Sequence, residues 1–384
     1  MTIREKDSLY VAHTYGRFPV EFVEGKGALL KDSDGKEYID LSSGIAVNTF
    51  GIADTEWVNA VTSQLNTLQH TSNLYYTKPC ADLAETLCER TGMKKVFFSN
   101  SGAEANECAI KAARKYSYDK YGDGRHYIIT LKNSFHGRTI TTLSATGQDS
   151  FHTIFTPFTE GFLYAEPNFD SVYELAEKYP CCAVMFEVVQ GEGGVIPLEK
   201  EFLSRLSKYA KEKDILLIAD EVQTGNGRTG KLYGYMNFDI IPDIVTTAKG
   251  LGGGLPIGAT MLGEKVKDTY TPGSHGSTFG GNPVCAAGAL NVLSRIDSDL
   301  LESVNRKSEY IINELSPYVK SITGMGLMLG IETEKDAKEI ISKCLEKGVL
   351  VISAKTKVRL LPPLSITDKQ LTKAINILKE VISQ

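Results

Sequence analysis

Short apolar runs alternate with longer amphipathic stretches through the middle of the chain, from about Trp57 to Tyr270. The apolar runs predict strands over residues 94–98, 126–131, 181–187 and 215–220, and the amphipathic stretches predict helices over 102–116 and 199–213. Strands that are apolar on both faces and separated by helices are typical of a mostly parallel sheet covered on both sides. We therefore predict a large α/β domain in this part of the chain.

The two ends of the chain have patterns that differ from the alternation in the middle. The last hundred residues predict helices over 283–295, 303–315 and 368–383, with short strands over 327–332 and 349–352, which is an α+β pattern. Near the N-terminus, Asp34 and Gly35 lie between alternating runs and predict a hairpin. Such a hairpin has little core of its own, so we expect it to join the C-terminal unit. We predict that residues 1–50 join the small domain, that residues 51–285 form the large domain, and that residues 286–384 form the small α+β domain.

Composition narrows the class of protein. A chain of 384 residues with 42% hydrophobic residues favours two globular domains over one. The formal net charge of -5 argues against nucleic acid or an anionic membrane surface as partner. We find no apolar run of about 18 residues and no secretory signal. Seven cysteines without a CxxC pair and six scattered histidines give no disulfide or metal pattern. A cytoplasmic protein with small-molecule ligands is expected.

The segment SNSGAEAN (99–106) lies where a predicted strand becomes a helix. Ser101 and Glu104 have the spacing of a capping box, which exposes amides at the start of the helix. Those amides and the helix dipole form a seat for phosphate, and Gly102 allows close approach. An ordinary capped helix without a ligand explains the same residues equally well.

The segment GNGRTGK (225–231) matches GxGxxG and most of a nucleotide-binding phosphate loop. Both matches fail in detail, because Leu232 replaces the Ser or Thr that would hold magnesium and no amphipathic helix follows. A nucleotide-binding protein that uses Gly225 to Lys231 is kept as the alternative from a different functional class.

Asp220 and Lys249 are stronger evidence of a ligand site than the glycine-containing segment 225–231. Asp220 ends a strand that is predicted to be buried, where parallel sheets place their ligands, and a buried charge needs a cationic partner. Lys249 stands in TTAKGLGGG (246–254), where a surface lysine is the ordinary interpretation. The small residues around it predict that something planar and large approaches. Pyridoxal 5′-phosphate offers a phosphate for the helix at Ser101, a ring nitrogen for Asp220 and an aldehyde for Lys249.

These motifs together resemble the class III (subgroup II) aminotransferases, and the resemblance runs nearly from end to end. It is carried by TYGRFPV (14–20), FFSNSGAEANE (97–107), SFHGRT (134–139), VVQGEGGV (188–195), DEVQTG (220–225), AKGLGGGLPIGA (248–259), HGSTFGGNP (275–283) and VRLLPPL (358–364). The resemblance implies the type I fold of pyridoxal-phosphate-dependent transferases, like aspartate aminotransferase. This fold has a mostly parallel seven-stranded sheet in the large domain. It also implies a homodimer with active sites at the subunit interface.

The same resemblance implies roles for individual residues. Lys249 would form the Schiff base and move the proton, and Asp220 would pair with the pyridinium nitrogen. The cofactor-binding residues implied are Ser101, Gly102, Ala103, Phe135, Asp220, Glu221, Val222, Gln223, Lys249 and, from the second subunit, Thr278. The substrate-binding residues implied are Tyr15, Arg138, Glu192, Ser277 and Arg359. No metal site is implied.

Arg138 and Arg359 are the implied carboxylate clamps, because a guanidinium pairs with a carboxylate in a two-pronged geometry. A surface ion pair is the ordinary alternative for either arginine. In relatives, a glutamate at the place of Glu192 hides the second arginine from one substrate. We therefore expect Glu192 to mask Arg359 while the amino donor is bound, leaving Arg138 to hold the donor carboxylate.

The expected reaction transfers the terminal amino group of N2-acetyl-L-ornithine to 2-oxoglutarate, a step of arginine biosynthesis. Ornithine-specific relatives usually have a tyrosine in the stretch aligned to 42–47, whereas this chain has Gly44 there, which leaves room for an acyl group. Ornithine, succinylornithine, succinyldiaminopimelate and 4-aminobutyrate stay open as donors. The segment Ile52–Val58 departs from the pattern of most relatives.

Overall fold

The computed structural model describes all 384 residues, and its N-terminal part leads into the main sheet. This part consists of α1 (Ile3–Tyr10), β1 (Phe22–Lys26), β2 (Leu29–Asp32), β3 (Glu37–Asp40), the single turn α2 (Ser43–Ala46), α3 (Thr55–Leu65) and α4 (Lys78–Thr91). The β2–β3 hairpin turns at Gly35, whose φ of +84° is a conformation that glycine adopts without steric cost.

The central part alternates strands with helices. Its elements are β4 (Lys95–Ser99), α5 (Gly102–Tyr121), β5 (Tyr127–Leu131), α6 (Ile140–Ala145), β6 (Phe162–Ala165), α7 (Phe169–Lys178), β7 (Cys181–Phe186), β8 (Val189–Gln190), β9 (Ile196–Pro197), α8 (Lys200–Lys213), β10 (Leu216–Asp220), β11 (Ile244–Thr247) and β12 (Gly258–Leu262). Seven of these strands form one sheet in the order β4-β12-β11-β10-β7-β5-β6, in which β12 alone runs antiparallel to its neighbours. This confirms the predicted mostly parallel sheet.

Alternate residues of the central strands enter two different cores. Leu216 and Ile218 of β10 belong to the core under α5, whereas Leu217 and Ala219 belong to the larger core on the opposite face. Side chains alternate across a strand, so a sheet covered by helices on both faces needs apolar residues at every position. Burial on both faces of the sheet is therefore the physical cause of the continuous apolar run that predicted this strand.

The C-terminal part forms a second body with its own core. It consists of α9 (Pro283–Ser294), α10 (Ser298–Leu315), β13 (Ser321–Met325), β14 (Met328–Glu332), α11 (Ala337–Glu346), β15 (Val349–Leu350), β16 (Ile352–Ala354), β17 (Lys357–Leu360) and α12 (Asp368–Ser383). Strands β13, β14, β17 and β16 form an antiparallel sheet, and β15 pairs instead with β3 in parallel. Ala28, Ile39 and Leu41 lie in this core, so the N-terminal strands pack with the C-terminal part.

Helix α9 packs with the large sheet rather than with the C-terminal sheet. Its buried residues Cys285, Ala289 and Val292 belong to the core that also holds Val245 and Met261. The predicted boundary between residues 285 and 286 falls inside this helix, so a boundary after Ile296, also part of that core, suits the packing better. The division of the chain into domains stays a prediction.

Most of the elements that hydrophobic patterning predicted lie within a few residues of their observed bounds. Exceptions are α10, which begins at Ser298 instead of residue 303, and the predicted strand 349–352, which is divided between two sheets as β15 and β16. None of the helices is long and apolar enough to cross a membrane.

Candidate active site

The carboxyl ends of the parallel strands open into one cavity of about 630 Å³. Asp220 ends β10, Lys249 follows β11, Glu187 follows β7 and Ser101 follows β4. Parallel strands place these ends on one edge of the sheet, so residues far apart in sequence meet there. The cavity brings together ten predicted site residues: Tyr15, Ser101, Gly102, Ala103, Phe135, Arg138, Asp220, Val222, Gln223 and Lys249.

Asp220 is buried and held by three donors. Its Oδ2 accepts hydrogen bonds from Asn106 Nδ2 and His136 Nδ1, both at 2.8 Å, while its Oδ1 accepts only the N–H of Val222 at 3.1 Å. A carboxylate oxygen can accept more than one hydrogen bond, so Oδ1 keeps capacity toward the cavity. The chain thus orients the buried carboxylate and leaves one of its oxygens open toward the cavity.

Lys249 opens a short 3-10 helix (Lys249–Leu251) with a φ of +45°, in the left-handed region that residues other than glycine rarely adopt. Burial lowers the pKa of its amine; Glu192, Asp220 and Glu187 oppose that effect through their charges, and Arg359 adds to it. A lysine with a lowered pKa holds more of the neutral amine, which is the nucleophilic and basic form.

The start of α5 faces the same cavity. Ser101 Oγ accepts the N–H of Glu104 at 3.2 Å, but the Glu104 carboxylate accepts the N–H of Asn100 at 2.6 Å instead of that of Ser101. The predicted capping box is therefore only half formed. The first amides of a helix have no partner inside the helix, so those of Gly102 and Ala103 stay available to an anion.

Phe135, Val222 and Gln223 line the cavity beside Asp220. A Cβ atom on Gly102 would lie 2.6 Å from Cγ1 of Val222, so the absence of a side chain at residue 102 lets the helix start approach Val222. The backbone N–H of Phe135 donates to Glu187 at 2.9 Å, which fixes the loop that carries the phenyl ring.

Arg359 lies behind the lining of the cavity with its guanidinium almost wholly buried. Its Nη1 donates to Glu192 Oε1 at 2.7 Å and to Gln223 Oε1 at 3.1 Å, while its Nε is buried without a partner. Burial alone would raise the pKa of Glu192, but the charge and hydrogen bond of Arg359, together with the charge of Lys249 and a hydrogen bond from Gln223, lower that pKa. The expected Glu192–Arg359 pair is therefore formed in this structure.

Arg138 has a different environment. It is exposed, forms no ion pair, and its guanidinium carbon lies 4.2 Å from the ring centroid of Phe151. Tyr15, also at the cavity, is exposed. One arginine is thus free at the cavity surface and the other is masked behind it.

Glu221 lies outside the cavity despite its position next to Asp220. Its carboxylate accepts hydrogen bonds from the amides of Gly234 and Tyr235 and from the hydroxyl of Thr224. Burial raises its pKa to about 7. The structure places Glu221 as an anchor for the 3-10 helix Gly234–Asn237, not in contact with a ligand in the cavity.

Ser277 and Thr278 are also absent from the cavity of their own chain. Ser277 Oγ accepts the amide N–H of Gly280 at 3.0 Å and lies 3.3 Å from Asn100 Nδ2, so it remains near the start of α5. Thr278 is exposed, and its side chain makes no hydrogen bond within the chain.

The loop 225–231 offers no phosphate seat. The amides of Gly227, Arg228 and Gly230 donate to carbonyl groups within residues 225–232, and Lys231 is exposed. Arg228 is buried and its Nη1 donates to the carbonyl groups of Leu327 and Pro362 in the C-terminal part. This loop is a contact between the two parts of the chain, which removes the basis for the nucleotide-binding alternative.

Among the cavity residues to which sequence reasoning assigned no role are Asn106, His136 and Glu187. Asn106 Nδ2 bridges Asp220 and the carbonyl of His136, and its Oδ1 accepts the hydroxyl of Thr246 at 2.7 Å. His136 Nε2 is buried without a partner. A usable signal existed for Glu187, because it is the last residue of a predicted buried strand, as Asp220 is.

Comparison with known proteins gives one consistent result. The family model for aminotransferase class-III matches residues 10–382. The chain is 50% identical to an acetylornithine aminotransferase of Haemophilus ducreyi, covering 100% of this chain and 98% of that protein. It is 47% identical to an acetylornithine aminotransferase of Aquifex aeolicus, covering 97% and 100%.

Solved structures match the fold over nearly the whole chain. The N-acetylornithine aminotransferase of Stenotrophomonas maltophilia is 35% identical with a TM-score of 0.85, covering 98% of both chains. The ornithine aminotransferase of Toxoplasma gondii ME49 is 32% identical with a TM-score of 0.94, covering 99% of this chain and 94% of that one. The backbone thus resembles enzymes named for either donor, so it does not separate the two activities.

Proposed function

The chain belongs to the class-III aminotransferases, whose members depend on pyridoxal 5′-phosphate, and we propose that it acts on N2-acetyl-L-ornithine and 2-oxoglutarate. The products are N-acetyl-L-glutamate 5-semialdehyde and L-glutamate, a step of arginine biosynthesis. The proposal rests on one observation. Asp220 and Lys249 line the same cavity, where Arg138 is free and Arg359 is masked by Glu192.

The cavity suits the cofactor in three respects. The amides at the start of α5 suit its phosphate, the open side of the Asp220 carboxylate suits its ring nitrogen, and the amine of Lys249 suits its aldehyde. Phe135 and Val222 supply surfaces for a flat ring, and Gln223 supplies an amide for its hydroxyl. When bound, pyridoxal phosphate accepts the electrons released at the substrate carbon.

Each residue then has a definable task. Asn106 and His136 orient Asp220, so that its charge favours protonation of the ring nitrogen. The Lys249 amine, with its lowered pKa, would accept the proton released at the substrate carbon and hold it at Nζ for return. These steps run in reverse with the second substrate.

The two arginines divide the carboxylates between them. Arg138, free at the cavity surface, holds the α-carboxylate of the amino donor while Glu192 masks Arg359. When a dicarboxylic substrate enters, its second carboxylate replaces Glu192 on Arg359. The buried Nε of Arg359, which has no partner within the chain, can then donate to that carboxylate. Two substrates of unlike charge can then use one site.

A homodimer and a cytoplasmic location are part of the proposal. Asn73 Nδ2 donates to the carbonyl groups of Ser277 and Gly280, which joins the loop carrying Thr278 to a strongly exposed apolar segment. That segment consists of Leu74, Tyr75 and Tyr76, which are 87%, 69% and 105% exposed. An exposed apolar patch of this kind supports contact with a second copy. All seven cysteines are free, which supports a reducing compartment.

A panel of amino donors tests the choice of substrate. We expect kcat/KM with N2-acetyl-L-ornithine to exceed the values with ornithine and 4-aminobutyrate by at least about tenfold, because the site must stabilise the correct transition state better. Succinylornithine and succinyldiaminopimelate complete the panel. Equal or higher values with any of these four donors would assign the chain to that donor.

The activities of Glu192→Ala with N2-acetyl-L-ornithine and with glutamate test the masking. Without Glu192, Arg359 is open in both half-reactions, so the preference between N2-acetyl-L-ornithine and glutamate should shift toward glutamate by about tenfold. An unchanged preference would show that Glu192 does not govern access to Arg359.

A further inference from the structure

Glu187 connects two loops of the site through one side chain. It follows β7, is only 5% exposed and lines the cavity. Its Oε1 accepts the backbone N–H of Phe135 at 2.9 Å and its Oε2 accepts that of Gly191 at 3.1 Å. Both contacts have normal hydrogen-bond lengths, so the carboxylate holds both backbones at once.

Each of the two loops carries part of a different arginine site. Arg138 lies three residues after Phe135, and its guanidinium carbon is 5.6 Å from the Phe135 ring centroid. Gly191 directly precedes Glu192, which pairs with Arg359 at 2.7 Å. Glu187 therefore contacts both the loop that carries the free arginine and the loop that carries the partner of the masked one.

The side chain of Gln223 also packs closely against Gly191. A Cβ atom on Gly191 would lie 2.6 Å from Gln223 Oε1, the atom that also accepts a hydrogen bond from Arg359 at 3.1 Å. A shift of this peptide would disturb both acceptors of Arg359, namely Glu192 and Gln223. The position of Gly191 is thus linked to the position of the guanidinium.

We propose that Glu187 is a positioning residue that fixes the spacing between the sites of Arg138 and Arg359. It does so by holding the backbones of Phe135 and Gly191, without contacting the carboxylates of the substrate. The proposal rests on the function proposed above, in which these two arginines bind carboxylates. A dicarboxylate must span both sites and needs the correct spacing, whereas a monocarboxylate uses one site and does not.

Binding of unreactive acids to the cofactor-loaded enzyme tests this proposal without turnover. The dissociation constants of glutarate, a dicarboxylate, and pentanoate, a monocarboxylate, are measured from the absorbance of the bound cofactor. The variants are Glu187→Gln, which keeps one carbonyl acceptor, and Glu187→Met, which keeps none. Asp243→Asn is the control, because Asp243 also accepts a backbone N–H, from Leu217 at 3.0 Å, but lies outside the cavity.

The expected result is a selective loss. Glu187→Gln should weaken glutarate by about tenfold and leave pentanoate within about twofold, because displacements of about 1 Å in such sites have effects of up to about 100-fold. Glu187→Met should extend the same trend, and Asp243→Asn should change neither constant. An unchanged ratio of the two constants in Glu187→Gln, or equal weakening of both acids, would overturn the proposal.

Two further variants separate this proposal from the proposed function. If the arginines bind carboxylates, Arg359→Ala should weaken glutarate more than pentanoate, and Arg138→Ala should weaken both. A failure of this pattern would overturn the assignment of the arginines. If both arginine variants behave as expected but Glu187→Gln leaves the two dissociation constants unchanged, only the proposed role of Glu187 would be overturned.

Discussion

Two loops follow neighbouring strands of the same sheet, and each combines several glycines with one lysine. Loop 225–231 follows β10 and carries Lys231, while loop 249–254 follows β11 and carries Lys249. The first resembles a nucleotide-binding loop in sequence, yet its amides donate to its own carbonyl groups and Lys231 faces solvent. The second matches no such pattern, yet Lys249 faces the cavity.

The glycines of both loops are explained mainly by protein neighbours. A Cβ atom on Gly252 would lie 2.1 Å from the carbonyl oxygen of Leu255, and one on Gly253 would lie 2.8 Å from Nε1 of Trp57. Only Gly254 of the glycines in the second loop lines the cavity. That these glycines make room for a flat ligand therefore stays a prediction, and only Gly254 among them lies where it could do so.

Glycine density thus indicates that other atoms approach the backbone closely, and it does not say which atoms these are. The direction of the lysine side chain separates the two loops. Lys249 points into a cavity that also contains Asp220, whereas Lys231 points away from the protein. Three experiments sharpen this contrast.

The largest expected effect concerns the two lysines. Lys249→Ala should lower kcat for amino transfer by about 10³-fold, because a positioned acid or base contributes about 10²–10⁴-fold. Lys231→Ala should stay within about twofold of the wild type. Steady-state kinetics of both variants with the same donor and acceptor checks this.

Folding must be compared in parallel for that pair. The single tryptophan, Trp57, donates to the carbonyl of Gly252 at 3.1 Å, so its fluorescence reports on the loop beside Lys249. Native-like emission from both variants would assign the loss to chemistry. Similar activity of the two variants would contradict the contrast between the loops.

The second effect concerns the contact that loop 225–231 makes with the C-terminal part. Gly326 has a φ of +55°, and a Cβ atom there would lie 2.5 Å from the carbonyl oxygen of Arg228. Gly326→Ala should therefore lower the free energy of unfolding by about 3 kcal/mol, from an unfavourable φ and from overpacking. Urea denaturation of the cofactor-free protein measures it.

Gly27→Ala is the matched control for this measurement. Gly27 has a φ of +58°, and no atom lies within 4 Å of the position that a Cβ would occupy, so only the cost of the φ angle remains. We expect about 1 kcal/mol for this variant. Equal losses for Gly326→Ala and Gly27→Ala would show that loop 225–231 is not tightly packed against the C-terminal part.

The smallest effect is a dependence of stability on pH. Burial lowers the pKa of Lys249 below the value of 10.5 expected in the unfolded chain, so its protonated form opposes folding. That penalty is complete below the folded pKa and fades as the pH rises from the folded pKa toward 10.5. Cofactor-free Lys249→Met should thus be more stable than wild type at pH 7, and the difference should shrink at higher pH.

Lys231→Met provides the comparison at each pH. An exposed lysine without close partners should change the free energy of unfolding by less than about 0.5 kcal/mol. A stability difference between Lys249→Met and wild type that stays constant from pH 7 to 10.5 would contradict a lowered pKa of Lys249.

Sequence reasoning reached most of the fold because burial on both faces forces an apolar residue at every strand position. It also reached Lys249 and Asp220, since a polar residue directly after a buried strand stands at the ligand edge of the sheet. It did not find that Glu221 turns away from the cavity, because adjacent residues at a strand end point to opposite sides and no local pattern says which side is used.

Contacts that depend on tertiary packing were not predictable from local patterns. The Glu104 carboxylate selects the amide of Asn100 over that of Ser101, although the sequence spacing fits both. The roles of Asn106 and His136 depend on their meeting Asp220 across 114 and 84 residues of sequence. Pairing of Glu192 with Arg359 was expected only through the family resemblance.

The most direct test of the central claim is to locate the attachment of the cofactor. The protein is loaded with pyridoxal phosphate, reduced with borohydride and digested, and the labelled peptide is identified by mass spectrometry. Attachment at Lys249, with loss of the label in Lys249→Ala and its retention in Lys231→Ala, is the predicted result. Label on Lys231 or another lysine, or no specific label, would contradict the account.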